Sequence, residues 1–216
     1  NGGVAASRGR HVLALNPDTR IDHDAVAPLA AFLDAHPDVG VVAPRLLDAD
    51  GALQLSCRAF PGYRTALFGR YALLTKLIPG NRYSRDYLMT DFDHRSERDV
   101  DWVSGAAMMF PRAVFDRLGG WDAGFFLFNE DVDFCRRVHD AGLRVVYDPS
   151  TSVYHEIGVS KRAPARIVIE RHKSMWRYYR KHLRRNAALD VVTAGGIVAR
   201  CAWVLASLGA RNLLSR

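Results

Sequence analysis

The stretch from Gly119 to Arg137 gathers residue types that can do chemistry. A glycine pair, Gly119-Gly120, leads into Trp121-Asp122-Ala123-Gly124, then the aromatic run Phe125-Phe126-Leu127-Phe128, then Asn129-Glu130-Asp131-Val132-Asp133. Glycines reach backbone conformations closed to other residues, and an aromatic run walls a pocket from water. Val132, Cys135 and Val138 recur at helical spacing, which predicts a helix from about Glu130 to Gly142. A helix N-terminus favours anions, keeping Glu130 or Asp131 ionised and able to accept a proton. The same pattern also fits an ordinary first helical turn with Asn129 as its cap.

A second cluster of candidates lies at strand ends. His11-Val12-Leu13-Ala14-Leu15 has strand length and stops at Asn16-Pro17-Asp18-Thr19, which presents Asp18 just beyond the strand. Ligands gather outside such ends in open α/β sheets, although a plain Asn-Pro-Asp turn reads the same way. His155, in Ser152-Val153-Tyr154-His155-Glu156, is either a ligand or a hydrogen-bonded structural histidine.

The elements that must position these residues follow in order. Asp22 or Asp24 caps a helix running through Ala35, with Val26, Leu29, Ala30 and Leu33 on its apolar face and Pro37 as its stop. A buried strand follows at Val39 to Ala43, so strand, helix and strand predict a parallel α/β unit. The Asp50-Gly51 turn joins Arg45-Leu46-Leu47 to Ala52 through Ser56 as a hairpin. Phe60 to Arg98 reads as a long, partly helical insertion. Strand character resumes around the small-residue break in Val100 to Phe110, and a short helix from Pro111 to Leu118 closes at Gly119. Arg144 to Tyr147 forms a strand ahead of Asp148-Pro149, and Ser152 to Glu156 follows separately.

With 49% hydrophobic and 25% charged residues in 216, the chain is globular and not disordered. Its net charge of +7 calls for an anionic partner. Cys57, Cys135 and Cys201 lack paired spacing, which excludes a zinc or redox motif and fits a reducing compartment. Lys161 to Arg185 is basic with interleaved aromatics, and Ala187 to Leu208 is largely apolar. Together they fit docking on an anionic membrane face. Asp190, Arg200 and the Gly195-Gly196 pair argue against a spanning helix. Alternatively, these helices simply cover the domain. No repeat, Walker loop or dinucleotide glycine motif is present.

Taken together, Leu15-Asn16-Pro17-Asp18-Thr19, Asp101-Trp102-Val103-Ser104-Gly105-Ala106, Gly119 through Asp133 and Tyr154-His155 resemble the inverting glycosyltransferases of family 2. The likeness is strongest to rhamnosyltransferase and galactofuranosyltransferase-like members and covers roughly residues 1 to 160. It implies an α/β fold: an incomplete GT-A, Rossmann-like mixed sheet flanked by helices, with C-terminal amphipathic helices. Residues 1–160 would form an N-terminally truncated catalytic domain, and 161–216 a basic and apolar helical region. The resemblance implies Asp131 as the catalytic base with Glu130 beside it, and Asp18 and His155 as ligands of Mg²⁺ or Mn²⁺. Asn16, Trp102, Ser104 and Gly105 would bind the donor, and Trp121 and Asp122 the acceptor. Asn16 stands where the family often has an aspartate, leaving one fewer negative charge at the metal.

The implied activity is transfer of a sugar, best L-rhamnose, from a nucleotide-diphosphate sugar to a glycan or lipid-linked glycan. Such an enzyme would be cytoplasmic and peripheral on the inner face of the cell membrane. Family members begin with at least one βαβ unit, on the order of 30 residues or more, that holds base and ribose. This chain is expected to start after it, and alone to bind nucleotide poorly and turn over little. Two rivals remain: a basic nucleic-acid-binding module, for which no recognised motif speaks, and a metal-dependent phosphoester hydrolase using Asp18, Asp131 and His155. An inactive interaction remnant is a third.

Overall fold

The computed structural model describes residues 1–63, 81–156 and 164–214. Much of the insertion expected between Phe60 and Arg98, and the first residues of the basic run, lie outside them. The chain divides into two compact units, Asn1–Trp121 with Asp131–Ile157, and Asp122–Glu130 with Gly158–Arg216.

The first unit is a mixed sheet flanked by helices. Its elements are α1 (Gly2–Ala6), β1 (His11–Leu15), β2 (Thr19–Arg20), α2 (Val26–Ala35), β3 (Val39–Leu47), β4 (Leu53–Gln54), β5 (Cys57–Arg58), α3 (Arg82–Leu88), β6 (Arg98–Asp99), β7 (Trp102–Val103), β8 (Ala107–Pro111), α4 (Arg112–Arg117), α5 (Glu130–Asp140) and β9 (Arg144–His155). Glu130, the first residue of α5, is counted with the second unit. The main strand order is β1-β8-β3-β9-β2, with β4 on β3 and β6 on β9, and β5 pairs separately with β7.

Strand β1 ends at Leu15, just before Pro17, as expected. The Asp24 carboxylate accepts from the backbone N–H groups of Val26 and Ala27 at 3.0 and 3.1 Å, so this residue starts α2. The apolar face of α2 seats Leu29 and Leu33 on Val39, Val42, Met109 and Val146. Side chains alternate across a strand, so Phe110, next to Met109, points to the opposite face. There its ring meets Phe115 of α4, Trp121 and Phe134 of α5, with centroids 5.1, 5.8 and 5.2 Å away.

Three details differ from the sequence reading. β1 and β3 are not neighbours, because β8 lies between them and runs antiparallel to both. A strand arriving much later in the chain can insert wherever backbone groups are unpaired, and local pattern cannot reveal that. The Asp148-Pro149 step does not end a strand either. β9 runs 12 residues, and its pairing with β3 jumps from Pro44↔Asp148 to Arg45↔Ser152. The bulge absorbs Pro149, which has no N–H to give the ladder, and the Asp148 carboxylate takes the backbone N–H and hydroxyl of Ser150 at 2.9 and 2.8 Å.

The third difference is in the second unit, which holds α6 (Ala165–Tyr178), a π-helical turn (Tyr179–Leu183) and α7 (Ala187–Leu214). The Gly195-Gly196 pair leaves α7 continuous over 28 residues. Its Ala187–Gly209 segment is long and apolar enough to cross a membrane by length and composition, and none of its apolar window is buried.

The predicted hairpin forms, with Gly51 at φ 84° and Leu46↔Gln54 and Leu47↔Leu53 in register. Cys57 and Cys135 are buried thiols whose burial pushes their pKa up to about 11 and about 12, so both are inert packing residues. Leu29, fully buried, seats α2 on the sheet. Leu29→Ala should lower stability by about 2–5 kcal/mol in urea unfolding followed by circular dichroism. Leu53→Ala, at a site 40% exposed, should change it by no more than about 0.5 kcal/mol.

Candidate active site

Beyond Leu15 the β1 ladder gains one more rung, from the Asn16 N–H to the Ala106 carbonyl at 3.0 Å. The Asn16-Pro17-Asp18 turn is then closed by the Thr19 N–H and hydroxyl, which donate to the Asn16 carbonyl at 3.2 and 2.7 Å. It delivers β2 to the end of β9, where Thr19 lies opposite His155 and the Glu156 N–H donates to the Asp18 carbonyl at 2.9 Å. The Asp18 carboxylate therefore comes within 3.3 Å of His155 Nε2, and the Asn16 amide lies 3.4 Å from the same nitrogen.

The tautomer of His155 follows from its neighbours. Gln54 reaches across the end of β3, and its amide nitrogen donates to the His155 carbonyl at 2.5 Å and to the Asp48 carboxylate. That fixes the amide so that its oxygen faces His155 Nδ1 at 2.9 Å, which must carry the proton. In neutral His155 the Nε2 lone pair then faces a carboxylate oxygen. Two lone pairs at that distance repel unless a proton or a metal cation lies between them. An oxygen and an imidazole nitrogen, the latter oriented by a hydrogen bond behind it, form a donor pair suited to a divalent cation. Among the described residues no group of three or more His, Cys, Asp and Glu could hold a metal. Asp18 and His155 would be the two residues to hold a Mg²⁺ or Mn²⁺ ion, which can be bound by few protein ligands.

Asp131 is held from two sides. Its carboxylate accepts from the Gly105 N–H at 3.0 Å and from the Val132 N–H at 2.8 Å. Ala106, bonded to Asn16, is the residue after Gly105, so one loop ties Asp131 to the strand end that carries Asp18. Burial pushes the Asp131 pKa above its ordinary 3.8, against the pull of those two N–H groups and the Arg58 charge. Such a carboxylate is a better proton acceptor than an exposed one. A Cβ on Gly105 would meet Asp131 at 3.4 Å, an ordinary contact, so this position serves the Asp131 carboxylate through its backbone N–H and not through its small size.

The other expected residues are spread more widely. Buried Trp102 donates its indole N–H to the Ala59 carbonyl at 2.8 Å, and the Ser104 N–H donates to the Ser56 carbonyl at 2.8 Å. The Ser104 hydroxyl accepts from the Ala106 N–H at 3.3 Å and so stiffens the loop. Trp121 packs in the aromatic cluster, 4.8 Å from Phe134. Asp122, in the second unit, is ion-paired with Arg177 at 2.6 Å and Lys181 at 2.9 Å. Glu130 is half-buried at the start of α5. Asp133 is fully buried and ion-paired with Arg137 at 2.9 Å, a structural position. Asn129 is not an extended cap: it and Phe128 hold φ of 65° and 67°, in the left-handed region. Non-glycine residues there store strain.

Two contributors escaped the sequence reading, Gln54 and Arg58. The Arg58 guanidinium lies 5.3 Å over the Trp102 ring, and its buried Nε has no hydrogen-bond acceptor among the described residues. Neither position carries a local signal, since each matters only through strand pairing. Because native Asp131 holds its proton more tightly than the unfolded chain does, stability should fall as pH rises from 3.8 toward its folded value. A carbon-13 titration of its carboxyl should give a midpoint above 3.8, and Arg58→Met should move it higher still. A midpoint at or below 3.8 would mean that the N–H groups and Arg58 outweigh burial.

Comparison with known proteins places the chain in a family. The profile of glycosyltransferase-like family 2 matches residues 1–187. N-acetylglucosaminyl-diphospho-decaprenol L-rhamnosyltransferase of Mycobacterium tuberculosis is 31% identical over 166 residues, which cover 76% of this chain and 53% of that protein. Rhamnosyltransferase WbbL of Escherichia coli K12 is 33% identical over 101 residues, 46% of this chain and 38% of that one. The chain thus spans about half the length of these relatives, or less. Among solved structures, GalNAc-T7 with UDP, GalNAc and Mn²⁺ superposes with a TM-score of 0.54 over 82% of this chain and 33% of that one; at 14% identity this is a likeness of fold. With a GT-A mixed sheet and a profile match over most of its length, the chain belongs to glycosyltransferase-like family 2.

Proposed function

We propose that this chain is the main catalytic portion of an inverting glycosyltransferase that moves a sugar, best L-rhamnose, from a nucleotide-diphosphate donor to a lipid-linked glycan. The observation that carries the reading is the meeting of Asp18, Asn16 and His155, the last two 139 positions apart, at the strand end joined through Gly105 and Ala106 to Asp131. Asp18 and His155 would hold Mg²⁺ or Mn²⁺, which supplies positive charge to the departing diphosphate.

Asp131 takes the proton of the acceptor hydroxyl. As that proton leaves, the hydroxyl oxygen forms a bond to the anomeric carbon and the bond from that carbon to the diphosphate oxygen breaks. A single displacement inverts the centre and releases the nucleoside diphosphate. The Gly105 and Val132 N–H groups keep the Asp131 carboxylate in one orientation, so no rotamer search is needed at each turnover. Trp102, pinned by its indole bond, and Ser104, which stiffens the Gly105 loop, would shape the donor side, with Trp121 and Asp122 toward the acceptor.

The donor sugar and acceptor rest on the relatives, one of which is named for L-rhamnose transfer to N-acetylglucosaminyl-diphospho-decaprenol. In this reading residues 1–160 do the chemistry and 161–216 hold the protein at the inner face of the cell membrane. Exposed Val191, Val192, Val198 and Trp203 on α7 support that attachment. A nucleic-acid module is disfavoured because Arg166, Arg171 and Arg177 lie over Phe126, Phe128 and Phe125.

The test is rhamnose transfer from deoxythymidine-diphosphate-rhamnose to a lipid-linked N-acetylglucosamine diphosphate, using the whole protein that contains this chain. Transfer should need Mg²⁺ or Mn²⁺ and invert the anomeric configuration by NMR. Asp131→Asn should lower kcat about 10²–10⁴-fold with little change in the donor KM. Asp18→Asn and His155→Ala should instead raise the metal concentration needed for half-maximal rate about 10–100-fold. An Asp131→Asn variant that keeps its rate, or transfer indifferent to chelator, would overturn the reading.

A further inference from the structure

The second unit contains a basic pocket whose cations the chemistry above does not use. It is a cavity of about 470 Å³ lined by Asp122, Trp176, Arg177, Arg180 and Lys181. Arg177 and Lys181 stand four residues apart, where helical spacing puts two side chains on one face. Asp122 grips both, one carboxylate oxygen taking Arg177 Nη2 at 2.6 Å and the other Lys181 Nζ at 2.9 Å. The Gly124 N–H donates to the same carboxylate at 2.9 Å. Arg177 passes so close to Gly124 that a Cβ there would lie 1.9 Å from its guanidinium carbon. The two cations also lie 5.4 and 6.0 Å from the Phe125 ring centroid.

Burial opposes the charge on Asp122, yet Arg177, Lys181 and the Gly124 N–H hold its carboxyl well below the usual range, so it stays ionised. Its role is to fix Arg177 and Lys181 in place. Arg180, on the π-helical turn, is exposed and pairs with no carboxylate among the described residues. Inserted π turns of this kind recur at functional sites. Three cations against one carboxylate leave two net positive charges, beside an indole stacked 5.3 Å from Tyr179. The next element of the chain is α7, apolar and exposed.

We propose that this pocket binds the diphosphate group of a membrane-embedded polyprenyl diphosphate, the headgroup that carries the acceptor sugar. A diphosphate esterified at both ends bears two negative charges, matching the pocket, and Arg forks bind its oxygens with charge-assisted hydrogen bonds. Trp176 offers a flat face to the sugar or to the first isoprene unit. α7 supplies the apolar surface that the chain of the lipid requires. The inference rests on the lipid-linked acceptor of the proposed function, and its test is separable because vesicle binding needs neither donor nor transfer.

The whole protein is titrated with phosphatidylcholine vesicles containing a polyprenyl diphosphate esterified to N-acetylglucosamine, and with vesicles brought to the same surface charge by phosphatidylglycerol. Inorganic pyrophosphate serves as the soluble comparison. Binding should be about tenfold tighter to the diphosphate lipid, and exposed Arg180→Gln should remove most of that preference while leaving the fold intact by circular dichroism. Trp176→Ala should weaken the diphosphate lipid more than the phosphatidylglycerol vesicles. Equal binding at matched charge would overturn the proposal in favour of a general anionic-membrane face. Pyrophosphate binding as tight as the lipid, or a preference indifferent to Arg180→Gln, would overturn it as well. Transfer activity without the vesicle preference would refute this inference alone, and the preference without transfer would refute only the catalytic reading.

Discussion

The nine-residue β3 and the twelve-residue β9 pair in parallel, and both faces of the pair are covered, so Val39, Val41, Val42, Ala43, Val145, Val146 and Tyr147 are buried whichever way they point. Parallel strands end together, and here the shared carboxyl end carries Leu47 opposite Tyr154, with His155 one step beyond. β4 folds back onto the same end of β3 and brings Gln54 to His155, while β2 closes on β9 from the other side and brings Asp18. Three segments remote in sequence meet because one buried strand pair sets where each must stop.

That end of the sheet holds two carboxylates in opposite circumstances. Asp18 is 40% exposed and lies 3.3 Å from the His155 imidazole nitrogen, a donor pair that would suit the cation proposed above. Asp131 is drawn inward and its ionised form is disfavoured, which would suit the proton acceptor proposed above. Environment thus sets two chemically similar side chains apart. The Asn16-Pro17-Asp18 turn keeps only one carboxylate, and in the metal site proposed above the imidazole opposite it would add a second ligand without adding negative charge.

In the second unit, charge is arranged by pairing. Arg166, Arg171 and Arg177 lie over aromatic rings of the Phe125–Phe128 loop, and Asp190 takes Arg184 at 2.9 Å and the Tyr179 hydroxyl at 3.0 Å. The acid that argued against a membrane-length helix is thus held near the start of α7, leaving Arg200 as the charge inside its apolar stretch. A basic count in sequence therefore overstates the open positive surface, because several of these cations already have rings or carboxylates to hold them.

Local pattern determined the elements whose causes are local. The stop of β1 before Pro17, the Asp24 cap, the Asp50-Gly51 hairpin and the start of α5 at Glu130 each depend on a few neighbouring residues, and each stands where the residues put it. The likeness to family 2 named Asp18, His155 and Asp131 as site residues, and the strand pairing accounts for how the first two meet. Only the tertiary structure decided that β8 divides β1 from β3, that β9 continues through Pro149, and that Gln54 sets the His155 tautomer. Those depend on which unpaired backbone edge a distant strand finds, and on which side chains its register then brings opposite. The same holds for Asp122, whose position beside Trp121 in sequence gives no sign of the two cations it clamps from 55 and 59 residues away.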